Sequence, residues 1–325
     1  MRNIQLYSIL LCMLILTACN RDNAEEVTFD VSIQDALNLR VGQPITFLFK
    51  GNAEFISFYS GEPGNNYAHI QRDSVGITTM KLECAIDQAY TDREYRLNEI
   101  IHAYISEDFN GEYTIENIQK AHWENISGQE EGLIKVPQTR EGSSEFVSST
   151  MDMAAFKNKA FYLAFQYNAF KRSNVPSKDN STQSEYVVQP RVIINPLKLT
   201  KTTVEDVETI WSNPVTEWAF RVVYQNSEKQ ANYSVHADNG LYFQPLAGKE
   251  HTDNDVIVWM VSKKICPWET EPDRGTAIKS ANAYLPSYSY TYNRPGNYTA
   301  TFVVTNANLW DSQQVVKEIS FTVNE

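Results

Sequence analysis

The chain has 325 residues, 12% of them aromatic with 18 Tyr, and a formal net charge of -12. An acidic balance without a Lys/Arg cluster argues against nucleic acid and anionic lipid as partners and suits a solvated, secreted surface. The length is enough for two domains, each with its own core, and the aromatic-rich composition without long apolar helical repeats points to an all-β protein.

The first element is an address. Met1-Arg2-Asn3 is followed by an apolar run from Ile9 to Leu16 and then by Leu16-Thr17-Ala18-Cys19. A basic start, a short apolar core and small residues before a cut describe a secretory signal over residues 1–18, too short to span a membrane as a mature helix. Leu16 to Cys19 match a bacterial lipobox, so Cys19 is the expected lipidation site, anchoring the chain to outer-membrane lipid through buried methylenes. A chance Cys after an ordinary signal is the alternative. Removing residues 1–18 takes away one Arg and no acid, which moves the net charge from -12 to -13. Residues 19–26 are a polar, acidic tether.

Strand patterns follow at once. Val27, Phe29, Val31 and Ile33 alternate with polar residues, Ile45, Phe47 and Phe49 share a face, and Phe55 to Tyr59 is a third strand ending in Ser60-Gly61-Glu62-Pro63-Gly64. These strands stop near residue 75. The partners they need lie at the other end of the chain, where Tyr288, Tyr290 and Tyr292 alternate with Ser289 and Thr291. After the turn Asn293-Arg294-Pro295-Gly296, Tyr298, Ala300, Phe302 and Val304 share a face, and Ile319 to Val323 repeats the pattern. The expectation is a discontinuous sandwich of residues 27–75 with 275–325, interrupted by a β domain over residues 76–274.

Within that middle region, Met80 to Cys84, Ile100 to Ile105, Ala121 to Ile126, Ala160 to Tyr167, Val187 to Ile194, Trp218 to Tyr224, Leu241 to Phe243 and Val256 to Val261 read as strands. Thr114 to Lys120 reads as a short helix, and Phe170 to Tyr186 as an exposed loop. Pro190 within its strand argues for an edge position. Many short strands with turn signals between them favour a jelly roll or related sandwich. Cys84 and Cys266 are the only cysteines beyond Cys12 and Cys19; a disulfide between them and two buried thiols are both compatible with the sequence.

Several stretches carry a resemblance. Val41-Gly42-Gln43-Pro44-Ile45-Thr46-Phe47, Phe58-Tyr59-Ser60-Gly61-Glu62 and Tyr290-Thr291-Tyr292-Asn293-Arg294-Pro295-Gly296-Asn297-Tyr298-Thr299 resemble parts of a PKD-type, immunoglobulin-like sandwich. Asp108-Phe109-Asn110-Gly111, Ala121-His122-Trp123 and Ala160 to Phe165 run in the order of a galactose-binding-type jelly roll. The tether resembles the acidic surface-export signal of Bacteroidetes lipoproteins. The whole order, with Ile56 to Gly64 early and Pro272 to Lys279 late, resembles an uncharacterised Bacteroidetes surface-lipoprotein family whose members accompany Sus-type (starch-utilisation-like) glycan uptake systems. The resemblance implies an outer-membrane, cell-surface location, polysaccharide or oligosaccharide as ligand and Sus-type importer components as partners. Its motifs look structural and carry no catalytic residues across.

Motifs for chemistry are sparse. The five His residues have no regular spacing, and neither HExxH, CxxC, GxSxG nor a glycine-rich phosphate loop occurs. Acidic pairs such as Glu107/Asp108 and Glu130/Glu131 satisfy the minimal need of a glycosidase but are ordinary solvated faces. The chain is therefore expected to be non-catalytic. Oxygen-rich loops at Asp108-x-Asn110 and Asp253-Asn254-Asp255 make Asp108, Asn110, Asp253 and Asp255 candidate ligands of a structural calcium, although the same sequences serve ordinary turns. Sugars are held by flat aromatics with a few placed polar groups. Trp218, Trp259 and Trp123 read as core. Trp268, Trp310 and Trp211 sit in loops and are the candidate glycan-stacking rings, with Asp273 and Arg274 as polar partners. The leading reading is a lipid-anchored glycan-binding accessory. An adhesive protein binding host or matrix protein, and a glycoside-hydrolase accessory enzyme, are the alternatives.

Overall fold

The computed structural model describes residues 23–89, 100–128, 133–137, 145–169, 189–226, 233–243 and 255–325. Within them the chain forms antiparallel sheets packed in a sandwich-like way, plus a two-stranded parallel pair and one short α-helix, so it is all-β. The first strands are β1 (Phe29–Ile33), β2 (Pro44–Gly51) and β3 (Phe55–Tyr59). Next come β4 (Ile77–Ala89), β5 (Ile101–Ser106), helix α1 (Ile115–Lys120), β6 (Glu124–Asn125), β7 (Ser127–Gly128), β8 (Ile134–Lys135) and β9 (Val147–Asp152). β10 (Tyr162–Ala169), β11 (Arg191–Thr203), β12 (Glu208–Trp211), β13 (Arg221–Tyr224), β14 (Tyr233–His236), β15 (Gly240–Phe243) and β16 (Val256–Val261) follow. The chain closes with β17 (Thr276–Lys279), β18 (Ser287–Thr291), β19 (Gly296–Ala307) and β20 (Ser312–Val323).

Two compact units result: residues up to Asp73 together with Thr270–Glu325, and Ser74–Glu269. In the first, the terminal unit, a sheet β1-β2-β18 faces a sheet β17-β3-β19-β20. Their inner faces meet in an aromatic core. Phe47 of one sheet lies 5.7 Å from Phe58 and 5.2 Å from Phe302 of the other, and Phe58 lies 5.0 Å from Tyr288. Such tilted and edge-on ring pairs add to the burial of the rings themselves. β18 pairs with β2 through Tyr288↔Phe47 and Tyr290↔Ile45, whereas β19 pairs with β3 and β20. The Asn293 to Gly296 turn therefore crosses from one sheet to the other instead of joining neighbours in one sheet. The buried Tyr292 hydroxyl donates to the Ser60 carbonyl at 2.8 Å, which satisfies the one polar atom that this crossing puts in the core.

In Ser74–Glu269, the middle unit, a sheet β14-β15-β11-β4-β9 with β12 beside β11 packs on a sheet β13-β16-β10-β5-β6. The two longest strands of the first, β4 and β11, pair along nearly their whole length, with a register shift between Ile194 and Leu197 where Pro196 sits. β11 is an interior strand, paired on both sides, and Pro190 lies just before it. The edge position expected from that proline is thus corrected: a proline ahead of the first ladder bond removes nothing from the ladder. The stretch 121–126 contributes only the two-residue β6; its first residue, Ala121, is the C-cap of α1. The expected loop over 170–186 lies outside the described residues. Cys84 and Cys266 are free thiols, and burial pushes the Cys84 thiol well above its usual range.

Among the described residues, a buried aspartate pairs with an arginine in each unit. In the terminal unit Asp273 meets Arg72 at 2.6 Å, and in the middle unit Asp87 meets Arg191 at 2.9 Å.

Candidate functional site

The central strands β5, β10 and β16 of the five-stranded sheet β13-β16-β10-β5-β6 carry apolar residues on both faces. Ile101, Ala103 and Ile105 of β5, Leu163, Phe165 and Tyr167 of β10, and Val258 and Met260 of β16 point into the core between the sheets. The alternate residues form a second apolar layer on the outside, built from Tyr162, Ala164, Val223, Trp259 and Val261, with Phe109, Ile118, Tyr104 and Trp123 against them. Period-two alternation makes this split unavoidable once the register is set. Register places Val223, Trp259, Gln166 and His102 in one row across the sheet, and Arg221, Val261, Ala164, Tyr104 and Asn125 in the next.

The loop after β5 covers part of this face and brings Trp123 onto it. Asp108 pins both ends of that loop: its Oδ1 accepts from the Ser106 hydroxyl at 2.8 Å and from the His122 backbone N–H at 2.9 Å. Thr114 caps α1, accepting from the Asn117 N–H, and the indole Nε1 of Trp123 donates to the Ile118 carbonyl at 2.9 Å. Gly111 adopts φ +82 in the same loop, and a Cβ there would meet the Tyr162 hydroxyl at 2.8 Å, so glycine is required on two counts.

An aromatic array results. Trp259 lies 5.4 Å from Tyr104 and 5.6 Å from Trp123, while Phe109 contacts Trp123, Tyr113 and Tyr162 at 5.6, 5.7 and 4.9 Å. The Arg221 guanidinium sits 4.9 Å over the Tyr113 ring, whose hydroxyl donates to the Ser262 carbonyl. Burial, and secondarily Tyr162, pushes the Tyr113 hydroxyl above its usual pKa. Amides border the rings: Gln166 accepts from the Tyr104 hydroxyl at 3.5 Å, and Asn168 is exposed one row further on. The indole Nε1 of Trp259 is buried with no hydrogen-bond partner among the described residues. The arrangement offers flat apolar faces flanked by amide and guanidinium groups.

The residues expected from sequence are divided between the two units. Trp211 and Trp268 belong to the middle unit, and Trp310, Asp273 and Arg274 to the terminal unit. Trp211 is half-buried, edge-on to Trp218 at 6.3 Å with the Lys263 ammonium 4.9 Å over its ring. Trp268 is half-buried, and its carbonyl accepts from Val75. Asp273 is buried, bonded to Arg72 and accepting from the Asn66 N–H at 2.9 Å, so its carboxylate organises the loop that ends at Asp73. Arg274 is exposed and paired with Glu271 at 3.1 Å. Trp310 is exposed at the β19–β20 tip. Trp218 is in the inter-sheet core, whereas Trp259 is buried on the outer face and Trp123 is half-buried beside it.

Of the calcium candidates, Asp108 holds the loop as described, and Asn110 Oδ1 accepts from the Glu112 N–H at 3.0 Å, ordinary turn chemistry. Asp253 lies outside the described residues, and Asp255 is exposed where they resume. Among the described residues no group of three His, Cys, Asp or Glu side chains is placed to hold a metal ion. No helix among them is long and apolar enough to cross a membrane. Cys19 lies outside them.

The geometry defines an all-β protein of two units, one of which bears an aromatic outer face. Residues 18–213, well over half of the chain, match the family described as "Domain of unknown function (DUF5017)", and the chain belongs to that family. The matched stretch runs through β1 to β12, so it includes the Asp108 loop and Trp123 but stops before the Trp259 strand. No curated protein and no solved structure matches the chain.

Proposed function

We propose that the chain is a lipid-anchored cell-surface protein that holds glycan without transforming it, as an accessory of a Sus-type uptake system. The observation that carries this reading is the outer face of the five-stranded sheet, where Tyr104 and Trp123 lie 5.4 and 5.6 Å from Trp259, with Gln166 beside Tyr104. Pyranose rings present C–H faces that pack on such aromatics, and their hydroxyls take the bordering amides. On this reading the terminal unit is a PKD/immunoglobulin-like spacer, the middle unit a galactose-binding-like jelly roll, and acylated Cys19 the anchor in the outer membrane.

Affinity electrophoresis of the purified protein in gels containing a panel of polysaccharides tests it. Retarded migration is expected on at least one glycan, with loss of at least ten-fold in apparent affinity in Trp123→Ala, which removes one stacking ring (~1.4 kcal/mol or more). Retardation that survives Trp123→Ala and Tyr104→Ala but disappears in Trp268→Ala would move the site. No retardation on any glycan overturns the reading in favour of protein adhesion, and reducing-sugar release by the purified protein overturns the non-catalytic part of it.

A further inference from the structure

The end of the terminal unit at which the chain emerges from its N-terminal tether is built from four segments. The Ala24 N–H donates to the Asp311 carboxylate at 3.0 Å, and the Asn306 amide donates to the Glu25 carbonyl at 3.3 Å. Glu54, in the β2–β3 turn, accepts from the Ala307 N–H through its carboxylate and donates its own N–H to the Asn306 side chain. Lys279 donates to the Glu54 carbonyl at 3.0 Å, and the loop it opens returns at Pro286, whose carbonyl takes the Phe49 N–H at 2.8 Å. The N-terminal entry, the β2–β3 turn, the β17–β18 loop and the β19–β20 tip are therefore tied into one pole. With Gln313, the Ala24 N–H holds the Asp311 carboxyl below the usual carboxylate range.

Three large side chains project from that pole. Leu309 is 85% exposed, Trp310 73% and Tyr284 90%. They sit on loop tips where no strand register requires an apolar residue, and water is a poor solvent for all three. β3 runs away from this pole, and β17, which pairs with it antiparallel, runs back toward it. The Arg72–Asp273 pair and the Thr270 N–H to Asp73 carbonyl bond, where the chain leaves and re-enters the terminal unit, thus lie at the opposite pole.

The geometry points to the tether pole as a bilayer-contact surface, with Trp310, Leu309 and Tyr284 seated at the headgroup boundary of the membrane that holds Cys19. This rests on the proposed acylation of Cys19. Cys19 lies five residues before Ala24, and an extended chain reaches at most about 3.6 Å per residue, so the pole is confined to roughly 18 Å of the anchor. Trp and Tyr are the side chains that favour the interface, where an apolar ring and a polar N–H or O–H are both accommodated. An acyl anchor supplies attachment; what the tips add is orientation, turning the opposite pole, where the chain departs toward the middle unit, away from the lipid.

The test uses the mature, acylated protein in phosphatidylcholine vesicles whose acyl chains carry bromine near the headgroup, a short-range quencher of indole fluorescence. Part of the tryptophan emission is expected to be quenched in the wild type, and that part is expected to be lost in Trp310→Phe. Metabolic labelling with a fatty-acid analogue, with Cys19→Ala as control, runs alongside. A labelled protein with no quenching, or with quenching unchanged in Trp310→Phe, overturns the tip proposal and leaves the anchor in place. Absence of label at Cys19 overturns the anchor reading and the tip proposal with it. Loss of glycan retardation in Trp310→Phe, without quenching in vesicles, gives the tip to glycan instead.

Discussion

The two units treat the outer faces of their sheets differently. In the terminal unit β20 alternates exposed and half-buried residues along nearly its whole length, and Thr299 and Ser320 join hydroxyls on the outside of β19–β20. In the middle unit β10 and β16 are buried on nearly every residue, because α1 and the Asp108 loop put a second apolar layer on the outer face. A sheet needs one apolar face to join a sandwich. The second layer, rich in aromatic rings and only partly covered, is what the proposed glycan-holding role rests on.

The units are alike in one respect that offers the largest expected effect. Asp87 and Asp273 are each buried against a partly buried arginine. Removing one partner of such a pair strands the other charge, so Asp87→Ala and Asp273→Ala should each cost about 3–5 kcal/mol. Hydrogen exchange should show the loss of protection concentrated in the unit that carries the substitution. Equal loss in both units for either variant would break the comparison.

Alkaline pH has a smaller effect and acts on both units, since burial also raises the pKa of Tyr113, Tyr162, Tyr224 and Tyr233 in the middle unit. What marks the terminal unit is a carboxylate, Glu62, beside its cluster. Burial raises the pKa of Tyr288, Tyr290, Tyr292 and Tyr298 in the terminal unit, and Tyr290, which also donates to Glu62 at 2.6 Å, is pushed up to about 12. Unfolded tyrosines ionise near 10. Above that pH the folded unit binds more protons than the unfolded one, so the stability these groups contribute is full below pH 10 and falls as pH rises. Glu62→Gln removes a negative neighbour and should bring tyrosinate absorbance in at lower pH. An unchanged titration would show that Glu62 does not govern this cluster.

The smallest effect sharpens the contrast. Trp259→Phe keeps a ring in the outer layer of the middle unit but deletes its N–H, which has no partner among the described residues. Leaving a buried donor unpaired costs about 1–3 kcal/mol, so its removal offsets the lost ring area and the net change should stay within about 1 kcal/mol in chemical denaturation. A loss above about 2 kcal/mol would mean that the indole N–H is satisfied in solution.

Legibility in the sequence follows the same divide. Where one face is polar, alternation names the strand and its inward residues together, and Ala300, Phe302 and Val304 are buried as their spacing requires. Where both faces are apolar, Val256 to Val261 declares a buried strand but not which side each residue takes: Trp259 reads as core and is buried, but in the outer of two apolar layers. Trp123 is beyond reach for a related reason, since its position depends on Asp108 bonding a backbone N–H fourteen residues away.

Composition and local pattern sufficed for the all-β class, the positions of most strands and the hairpin tip at Trp310, because these depend on side-chain periodicity and turn chemistry within a few residues. Only the fold decided that β18 joins β2 and not β19, that Asp273 is a buried ion-pair partner, and that Tyr104, Trp123 and Trp259 share one face. Those outcomes depend on pairings between segments far apart in the chain, and no local run of residues contains the register that fixes them.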